Sequence, residues 1–132
     1  MLKDHTLIDI EHVSKYYHEH KVLDDISVHI HPGEIFAIVG HSGAGKSTLL
    51  RCLNGLERFS EGKLSVLGHD VASLNETELN NMRKQMGMIF QHFSLLNQKN
   101  VYDNIALPMK VWGYSEQEIQ AKVDDLLSLV GL

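Results

Sequence analysis

The sequence is short of cysteine and proline, with one and two residues in 132, and it has no long apolar run. The lone thiol, Cys52, cannot form a disulfide within the chain, which suits the cytosol, and it is predicted to be a small buried hydrophobe. A membrane-spanning helix needs about 20 apolar residues. Residues 1–5 also lack the apolar core of a signal peptide. Any role at a membrane is therefore expected from its aqueous side.

An excess of basic residues is also lacking. Lysine and arginine number 12 against 17 acidic residues, which gives a formal net charge of −5. This balance argues against a general nucleic-acid or anionic-membrane surface. A phosphate ligand is still allowed where a loop supplies its own positive potential. The length corresponds to one domain or a piece of one.

The sequence does contain a glycine-rich phosphate-binding motif. Residues 40–48 read GHSGAGKST and fit G-x-x-x-x-G-K-[ST], the P-loop. The apolar run at residues 35–39 predicts a buried strand before the motif, and leucines at helical spacing predict a helix after it. An accidental glycine-rich turn would not need this strand–loop–helix order. The motif in its context predicts binding of a nucleoside triphosphate.

Each residue type in the motif has a physical role. The glycines let the backbone curl so that its N–H groups point inward, because no Cβ blocks the path. The helix N-terminus adds a partial positive charge. Lys46 is expected to reach the β- and γ-phosphates, Ser47 to ligate Mg²⁺ and Thr48 to lie near the α-phosphate. The residues predicted to bind nucleotide here are Gly40, Ser42, Gly43, Ala44, Gly45, Lys46, Ser47 and Thr48.

The rest of the chain predicts a mixture of short strands and helices. The predicted strands are residues 8–11, 26–30, 64–66 and 87–90, the first two alternating and the last a buried core strand. Half-polar strands ahead of an apolar one indicate an antiparallel flap beside a parallel core. Two S-x-x-E capping boxes predict helix starts, and these are Ser73 with Glu76 and Ser115 with Glu118. A third helix at 101–107 is expected to be interrupted by Pro108.

Over its whole length the chain resembles the ATPase subunit of an ATP-binding-cassette (ABC) transporter. An aromatic before the P-loop, the P-loop itself and a glutamine ending a later predicted strand occur in the family's order. The resemblance implies that Tyr17 stacks on adenine and that Val22 lies beside the base. It also implies that Gln91 contacts Mg²⁺ and the attacking water. Lys46 and Gln91 would then be catalytic, and Ser47 and Gln91 would ligate the metal.

The resemblance also implies the fold and the domain organisation. The expected class is α/β, with an incomplete P-loop NTPase (RecA-like) core, an N-terminal antiparallel β flap and the start of a helical subdomain. Residues 1–91 would form the ATP-binding core, and residues 92–132 would begin the helical, permease-facing subdomain. The amino-acid sequence at residues 51–57, 87–93 and 106–108 most resembles that of bacterial methionine importers, and polar amino-acid importers are the next most similar.

The function implied by this resemblance is transport. ATP binding and hydrolysis, with Mg²⁺, would drive uptake of methionine or another amino acid. The expected location is the cytoplasmic face of the inner membrane, as a peripheral subunit. The implied partners are a membrane permease, contacted near residues 92–100, and a second ATPase subunit in a homodimer, with no nucleic acid. Phe93, Leu95 and Leu96 are the candidates for permease contact, and local packing is the alternative.

Several family features do not occur in the sequence. It has no LSGGQ signature, no strand ending in Asp-Glu and no switch histidine after such a strand. The chain alone is therefore expected to bind nucleotide weakly and to hydrolyse it negligibly. Buried-type strands left without neighbours predict self-association. His41 also departs from the family, which usually has proline or a small residue there.

Other interpretations remain open. Without the spacing that the family implies, Tyr17 would be interpreted as an exposed aromatic residue of a turn. The pairs His18 with His20 and His29 with His31 would each share a face of a strand, but no third zinc ligand is apparent. A soluble P-loop NTPase or small-molecule kinase is the alternative function. A GTPase is expected to contain an N-K-x-D motif, and a small-molecule kinase is expected to contain an arginine-rich lid. Neither is visible in the sequence.

Overall fold

The structure is a computed structural model and describes residues 6–132. It divides into two compact units, the first ending at Gly87 and the second running from Met88 to Leu132. The N-terminal stretch predicted to lack a signal peptide, residues 1–5, lies outside the described residues. The predicted functional boundary after residue 91 stays a prediction.

An antiparallel sheet forms the framework of the first unit. Its strands are β1 (Ile8–Tyr17), β2 (His20–Ile30), β3 (Glu61–Val66) and β4 (His69–Asp70). They lie in the order β2-β1-β3-β4, and every neighbouring pair is antiparallel. The alternating patterns place one face of this sheet in the core and the other in solvent. The predicted antiparallel flap and the α/β class are confirmed.

Two helices cover the apolar face of the sheet and complete the core of the first unit. They are α1 (Lys46–Leu53) and α2 (Glu76–Arg83), and a short 3₁₀ turn at Val71–Ser73 lies between β4 and α2. The most deeply buried side chains of this core are Ile10, Val13, Cys52, Leu64, Val66 and Met82. Cys52 is buried as predicted, and this burial raises the pKa of its thiol. The core fixes α1 and therefore the loop that precedes it.

The two predicted buried strands at residues 35–39 and 87–90 do not form, so these predictions were wrong. Both segments lack strand structure, and the side chains of Ile35 and Ile89 are fully exposed. A strand of this apolar type needs a hydrogen-bonded neighbour and covered faces. In the described part of the chain, the only sheet is β2-β1-β3-β4, and neither segment joins it.

The start of α2 lies two residues beyond the predicted position. Asn75 is the N-cap and accepts the Glu78 N–H at 3.0 Å, while the Glu78 carboxylate accepts the Asn75 N–H at 2.9 Å. Ser73 instead closes the 3₁₀ turn, where its hydroxyl donates to the Asp70 carbonyl. The predicted box of Ser73 with Glu76 was therefore wrong. The nearby Asn-x-x-Glu pattern supplies the same chemistry.

The second unit is built on two helices, α3 (Val101–Val111) and α4 (Glu116–Leu129). Ala106, Ile119 and Val123 are its buried residues. Pro108 lies inside α3 and does not interrupt it, so the predicted break was wrong. A proline within a helix removes one backbone hydrogen bond. The helix nevertheless continues, and the Trp112 N–H donates to the Pro108 carbonyl at 3.0 Å.

Both ends of α4 are as predicted. Ser115 accepts the Glu118 N–H at 3.3 Å, and the Glu118 carboxylate accepts the Ser115 N–H at 2.9 Å, so the capping box is confirmed. Gly131 follows the helix with φ of 75° and donates its N–H to the Ser128 carbonyl. Leu132 then donates to the Leu127 carbonyl at 2.9 Å, which completes a Schellman ending.

Candidate phosphate-binding site

The site begins at the N-terminus of α1. Gly45 is the N-cap residue, has φ of 85° and provides no side-chain cap. The first intrahelical bond runs from the Leu49 N–H to the Gly45 carbonyl at 2.9 Å. The N–H groups of residues 45–48 therefore precede the helical ladder. Together with the helix dipole, they form an anion-binding end.

Gly45 allows the loop to approach strand β2. A Cβ placed on it would lie 2.7 Å from the Val22 carbonyl oxygen and 3.0 Å from the Leu23 Cδ2 atom. Gly43 also has a positive φ, of 80°, but a Cβ there would meet nothing within 4 Å. Glycine is thus favoured at Gly43 by backbone conformation alone. At Gly45 it is favoured by conformation and by space.

The Lys46 side chain folds back into the loop. Its Nζ donates to the Gly40 carbonyl at 2.7 Å and to the His41 carbonyl at 2.6 Å. The Ala44 N–H also donates to the His41 carbonyl, at 3.1 Å. The backbone is therefore curled around the ammonium group. Only the carbonyl of His41 takes part in these bonds, so a histidine in place of a small residue is compatible with the curl.

The remaining motif residues are accessible at the same place. Ser47 lies in the first turn of α1 and is exposed, whereas Thr48 is half-buried. Ser42 and Ala44 are exposed on the loop. The Ser47 side chain is therefore accessible to solvent next to the loop, and its role as a metal ligand stays a prediction.

Val22 and Tyr17 occupy different parts of the β1–β2 hairpin. Val22 contacts the loop, since its Cγ1 atom would lie 3.2 Å from a Cβ at Gly45. Tyr17 is the last residue of β1, and the Nζ of Lys15 lies 4.7 Å from its ring centroid. The structure thus brings Val22 to the P-loop, while the adenine-stacking role of Tyr17 stays a prediction.

Gln91 lies in the second unit, in an exposed bend, and its predicted role is not tested by this geometry. Phe93, Leu95 and Leu96 follow it and are all exposed. The alternative that these apolar side chains are packed locally is therefore not seen in the described structure.

Asn104 is a residue of this region that the sequence did not single out. Its Oδ1 accepts the Leu96 N–H at 2.8 Å, and its Nδ2 donates to the carbonyls of Lys99 and Asn100. One amide side chain on α3 thus holds the loop before the helix. The contact joins residues eight apart, so no local motif reveals it.

Lys15 is a second residue that sequence reasoning missed. Its side chain is only 12% exposed, and its Nζ lies 2.9 Å from the Glu57 carboxylate and donates to the Arg58 carbonyl at 2.5 Å. The Lys15 ammonium lowers the pKa of Glu57, and the Tyr17 hydroxyl adds to this effect. The only sequence signal is a lysine two positions before the aromatic.

Three histidines in or next to the β1–β2 hairpin, namely His12, His29 and His31, lie beside carboxylates. Nδ1 of His29 lies 2.6 Å from Asp9, and Nδ1 of His12 lies 2.7 Å from Asp25. His31 is 3.4 Å from Glu34. Among residues 6–132, no cluster of three or more His, Cys, Asp or Glu side chains is placed to hold a metal ion.

No helix within the described residues is long and apolar enough to cross a bilayer.

A curled P-loop at the start of a helix, beside an antiparallel flap, is typical of the P-loop class of folds. The family model described as ABC transporter matches residues 23–132, and the chain belongs to this family. The predicted resemblance is confirmed.

The chain is similar to curated relatives described as methionine import ATP-binding protein MetN. The protein of Clostridioides difficile (strain 630) is 56% identical over 126 residues, which cover 96% of this chain and 39% of that protein. The Wolinella succinogenes protein is 59% identical over 111 residues, covering 84% and 37%. The Escherichia coli O157:H7 protein is 44% identical over 130 residues, covering 96% and 38%. The chain thus spans about two fifths of the length of these relatives.

A solved structure gives the same result for the fold. The dimeric, post-hydrolysis ATP-binding cassette MJ0796 bound to ADP and Pi has a TM-score of 0.82 with this chain and is 27% identical. The match covers 95% of this chain and 57% of that protein. The predicted fold class is confirmed by this likeness.

Proposed function

We propose that this chain is the ATP-binding portion of an ABC importer ATPase. The observation that carries the proposal is the P-loop itself, in which free helix-terminal amides and the Lys46 ammonium converge on one curl. Such a curl provides hydrogen-bond donors and positive potential together, as a polyphosphate requires. ATP is the nucleotide indicated by the names of the relatives.

The triphosphate would be bound by the loop and by Lys46. The amides of residues 43–48 would donate to phosphate oxygens, and the ammonium would exchange its bonds with the Gly40 and His41 carbonyls for the β- and γ-phosphates. Ser42 and Ala44, exposed on the same loop, would line the entry. The contacts need no rearrangement of α1, because its N-terminus already faces the curl.

The oxygen atoms available beside the loop also fit Mg²⁺. Ser47 offers an exposed hydroxyl in the first helical turn, next to the loop that would hold the phosphates. A hard cation of this kind prefers oxygen ligands and neutralises phosphate charge when bound. Thr48 would lie nearer the α-phosphate. Gln91 is proposed as a second metal ligand and as the residue that orients the attacking water.

The base would lie against the β1–β2 hairpin. Val22 already contacts the loop through Gly45, so an apolar side chain is present beside the phosphate site. Tyr17, exposed at the end of β1, would provide the stacking surface. Aromatic stacking is worth about 1–3 kcal/mol per base and tolerates many contexts.

The importer role is proposed from the relatives. Their printed name is a methionine import ATP-binding protein, so methionine is the proposed solute class, with other amino acids as the alternative. The exposed apolar residues Phe93, Leu95 and Leu96 would contact a membrane permease from the cytoplasmic face of the membrane. A second copy is the proposed partner, in keeping with the dimeric solved neighbour.

Calorimetry with Mg-ATP tests the proposal. The 132-residue chain is expected to bind Mg-ATP, and Lys46→Ala is expected to weaken binding at least about tenfold by removing a charge-assisted contact. Lys122→Ala, which removes an exposed lysine of α4, is the matched control and should leave affinity unchanged. Equal binding by wild type and Lys46→Ala would contradict the proposal.

Turnover is expected to be negligible in the same preparation. Lys46, Ser47 and Gln91 can stabilise charge, but phosphoryl transfer to water also needs a positioned base. The sequence has no Asp-Glu strand end to supply one. Robust ATP hydrolysis by this chain, abolished by Lys46→Ala, would contradict this part of the proposal.

A further inference from the structure

Lys15 makes an unusual set of contacts for a lysine on a flap strand. Its side chain is 12% exposed, although most lysines keep the ammonium group in water. The ammonium contacts three partners, namely the Glu57 carboxylate at 2.9 Å, the Arg58 carbonyl at 2.5 Å and the ring of Tyr17. Burying a charge is costly unless it is paired in this way.

The contact with Tyr17 determines which part of its ring is available. Nζ of Lys15 lies over the ring at 4.7 Å from its centroid, well inside the range of a cation–π contact. The Tyr17 side chain is nevertheless 41% exposed. One face is therefore covered by the ammonium, and a planar ligand would have to stack on the other.

The same lysine connects the hairpin to the segment that follows α1. The Glu57 N–H donates to the Arg51 carbonyl at 3.0 Å, so Glu57 is fastened to the last turn of α1. A few residues on, the Ser60 hydroxyl accepts the Tyr16 N–H at 3.1 Å. Residues 57–60 thus join the helix that begins at the P-loop to the strand that ends at Tyr17.

We propose that Lys15 is a positioning residue for the nucleotide base, holding the Tyr17 ring with one face presented to adenine and tied to the P-loop helix through Glu57. The inference rests on the proposed ATP binding and adds a residue to it. A held ring loses less conformational freedom when the base stacks on it. Lys15 itself would not touch the nucleotide.

The test compares two ligands that share the phosphate tail. Mg-ATP would contact both the P-loop and Tyr17, whereas inorganic tripolyphosphate with Mg²⁺ would contact the P-loop alone. Lys15→Met is expected to weaken Mg-ATP binding by about two- to tenfold, which is the cost of ordering one free side chain. It should leave tripolyphosphate binding unchanged, and Lys15→Arg should restore most of the preference for ATP.

Lys21→Met is the matched control in the same hairpin. Lys21 also lies over a tyrosine, with its Nζ 5.4 Å from the ring centroid of Tyr16, and it is ion-paired with Asp24. The variant removes the same charge and the same kind of contact. It is expected to leave the ratio of ATP to tripolyphosphate affinity at the wild-type value.

A double-mutant cycle separates positioning from a general structural effect. Tyr17→Leu should lose the preference for ATP, and Lys15→Met added to it should cause no further loss. An unchanged ratio in Lys15→Met, or an equal loss for both ligands, would overturn the inference while leaving ATP binding in place. Failure of the wild-type chain to bind either ligand would overturn the proposed function as well. If Lys15→Met unfolds, Glu57→Gln tests the same contact from the other partner.

Discussion

At the scale of single residues, the loop glycines differ in the reason that each excludes a side chain. Gly43 needs only its left-handed backbone, whereas Gly45 also lies against the Val22 carbonyl. The first requirement is local and the second depends on tertiary packing. This difference predicts unequal costs for the same substitution.

Gly45→Ala should be more destabilising than Gly68→Ala. The two glycines have similar φ, 85° and 79°, but a Cβ would meet Val22 at 2.7 Å in the first case and nothing within 4 Å in the second. Left-handed backbone costs an alanine about 1–2 kcal/mol, and steric overlap adds about 1–3 kcal/mol. Urea unfolding of both variants measures the difference. Equal losses would mean that the loop does not pack on β2.

Residue roles could be predicted from sequence where a motif is contiguous. The P-loop positions needed only their spacing, because the loop and helix α1 follow one another along the chain. Lys15 and Asn104 could not be found in this way. The ion pair of Lys15 reaches Glu57, 42 positions along the sequence, and Asn104 acts on a loop through its amide. Such contacts depend on the fold and leave no local signature.

At the scale of elements, helix starts depended on choosing between competing caps. Ser115 with Glu118 was the only box near α4, and the prediction was confirmed. Near α2, both Ser73 and Asn75 fit the pattern. The Ser73 hydroxyl, however, donates to the Asp70 carbonyl in the 3₁₀ turn and does not cap α2. Asn75 is then the first residue free to cap the helix.

Asn75→Ala should therefore destabilise the first unit by about 1 kcal/mol, because it removes the acceptor for the Glu78 N–H. Ser73→Ala, the matched variant at the position that sequence favoured, removes only an exposed hydrogen bond to Asp70. It should cost less than about half as much. Chemical unfolding of the two variants decides between the caps, and a larger loss in Ser73→Ala would contradict the observed helix start.

The capping box of α4 predicts a response to acid. The Ser115 hydroxyl, and then its N–H, lower the pKa of Glu118 from the ordinary value of 4.5. A lowered folded-state pKa stabilises the helix at pH above 4.5, and this contribution is lost as the pH falls through the lowered value. NMR titration of the Glu118 carboxyl should show the lowered pKa, and Ser115→Ala should raise it. A pKa unaffected by Ser115→Ala would show that the hydroxyl is not bound.

The predicted strands at residues 8–11, 26–30 and 64–66 lie within the longer strands β1, β2 and β3. These three strands are neighbours in one antiparallel sheet, in which each has a hydrogen-bonded partner. Residues 35–39 have an equally strong apolar pattern, yet they form no strand. Apolar content specifies burial, but a ladder also needs a neighbour with free backbone groups.

At the scale of the whole molecule, the exposed apolar segments dominate the expected behaviour in solution. Ile35, Val39 and Ile89 are exposed nearly or completely, and Phe93 adds another large apolar surface. Unpaired backbone beside such side chains can add strands from another molecule. The same chain also has a packed core in its first unit, so it can fold and still associate through these exposed segments.

The purified chain is accordingly expected to self-associate. Sedimentation velocity should show species larger than the monomer, and Ile35→Lys with Val39→Lys should reduce them by placing charges on the segment. Asn81→Lys with Gln117→Lys, at two exposed and neutral polar positions, adds the same charge and serves as the control. A strictly monomeric, cooperatively unfolding wild-type chain would contradict the expectation.

The central claim is that the amides at the start of α1 and the Lys46 ammonium hold the phosphate tail of ATP. Amide NMR spectra recorded during titration with Mg-ATP test it most directly. The account predicts saturable shifts concentrated at residues 43–48 and their loss in Lys46→Ala. Saturating Mg-ATP that leaves these amides unshifted, or shifts them equally in Lys46→Ala, would contradict it.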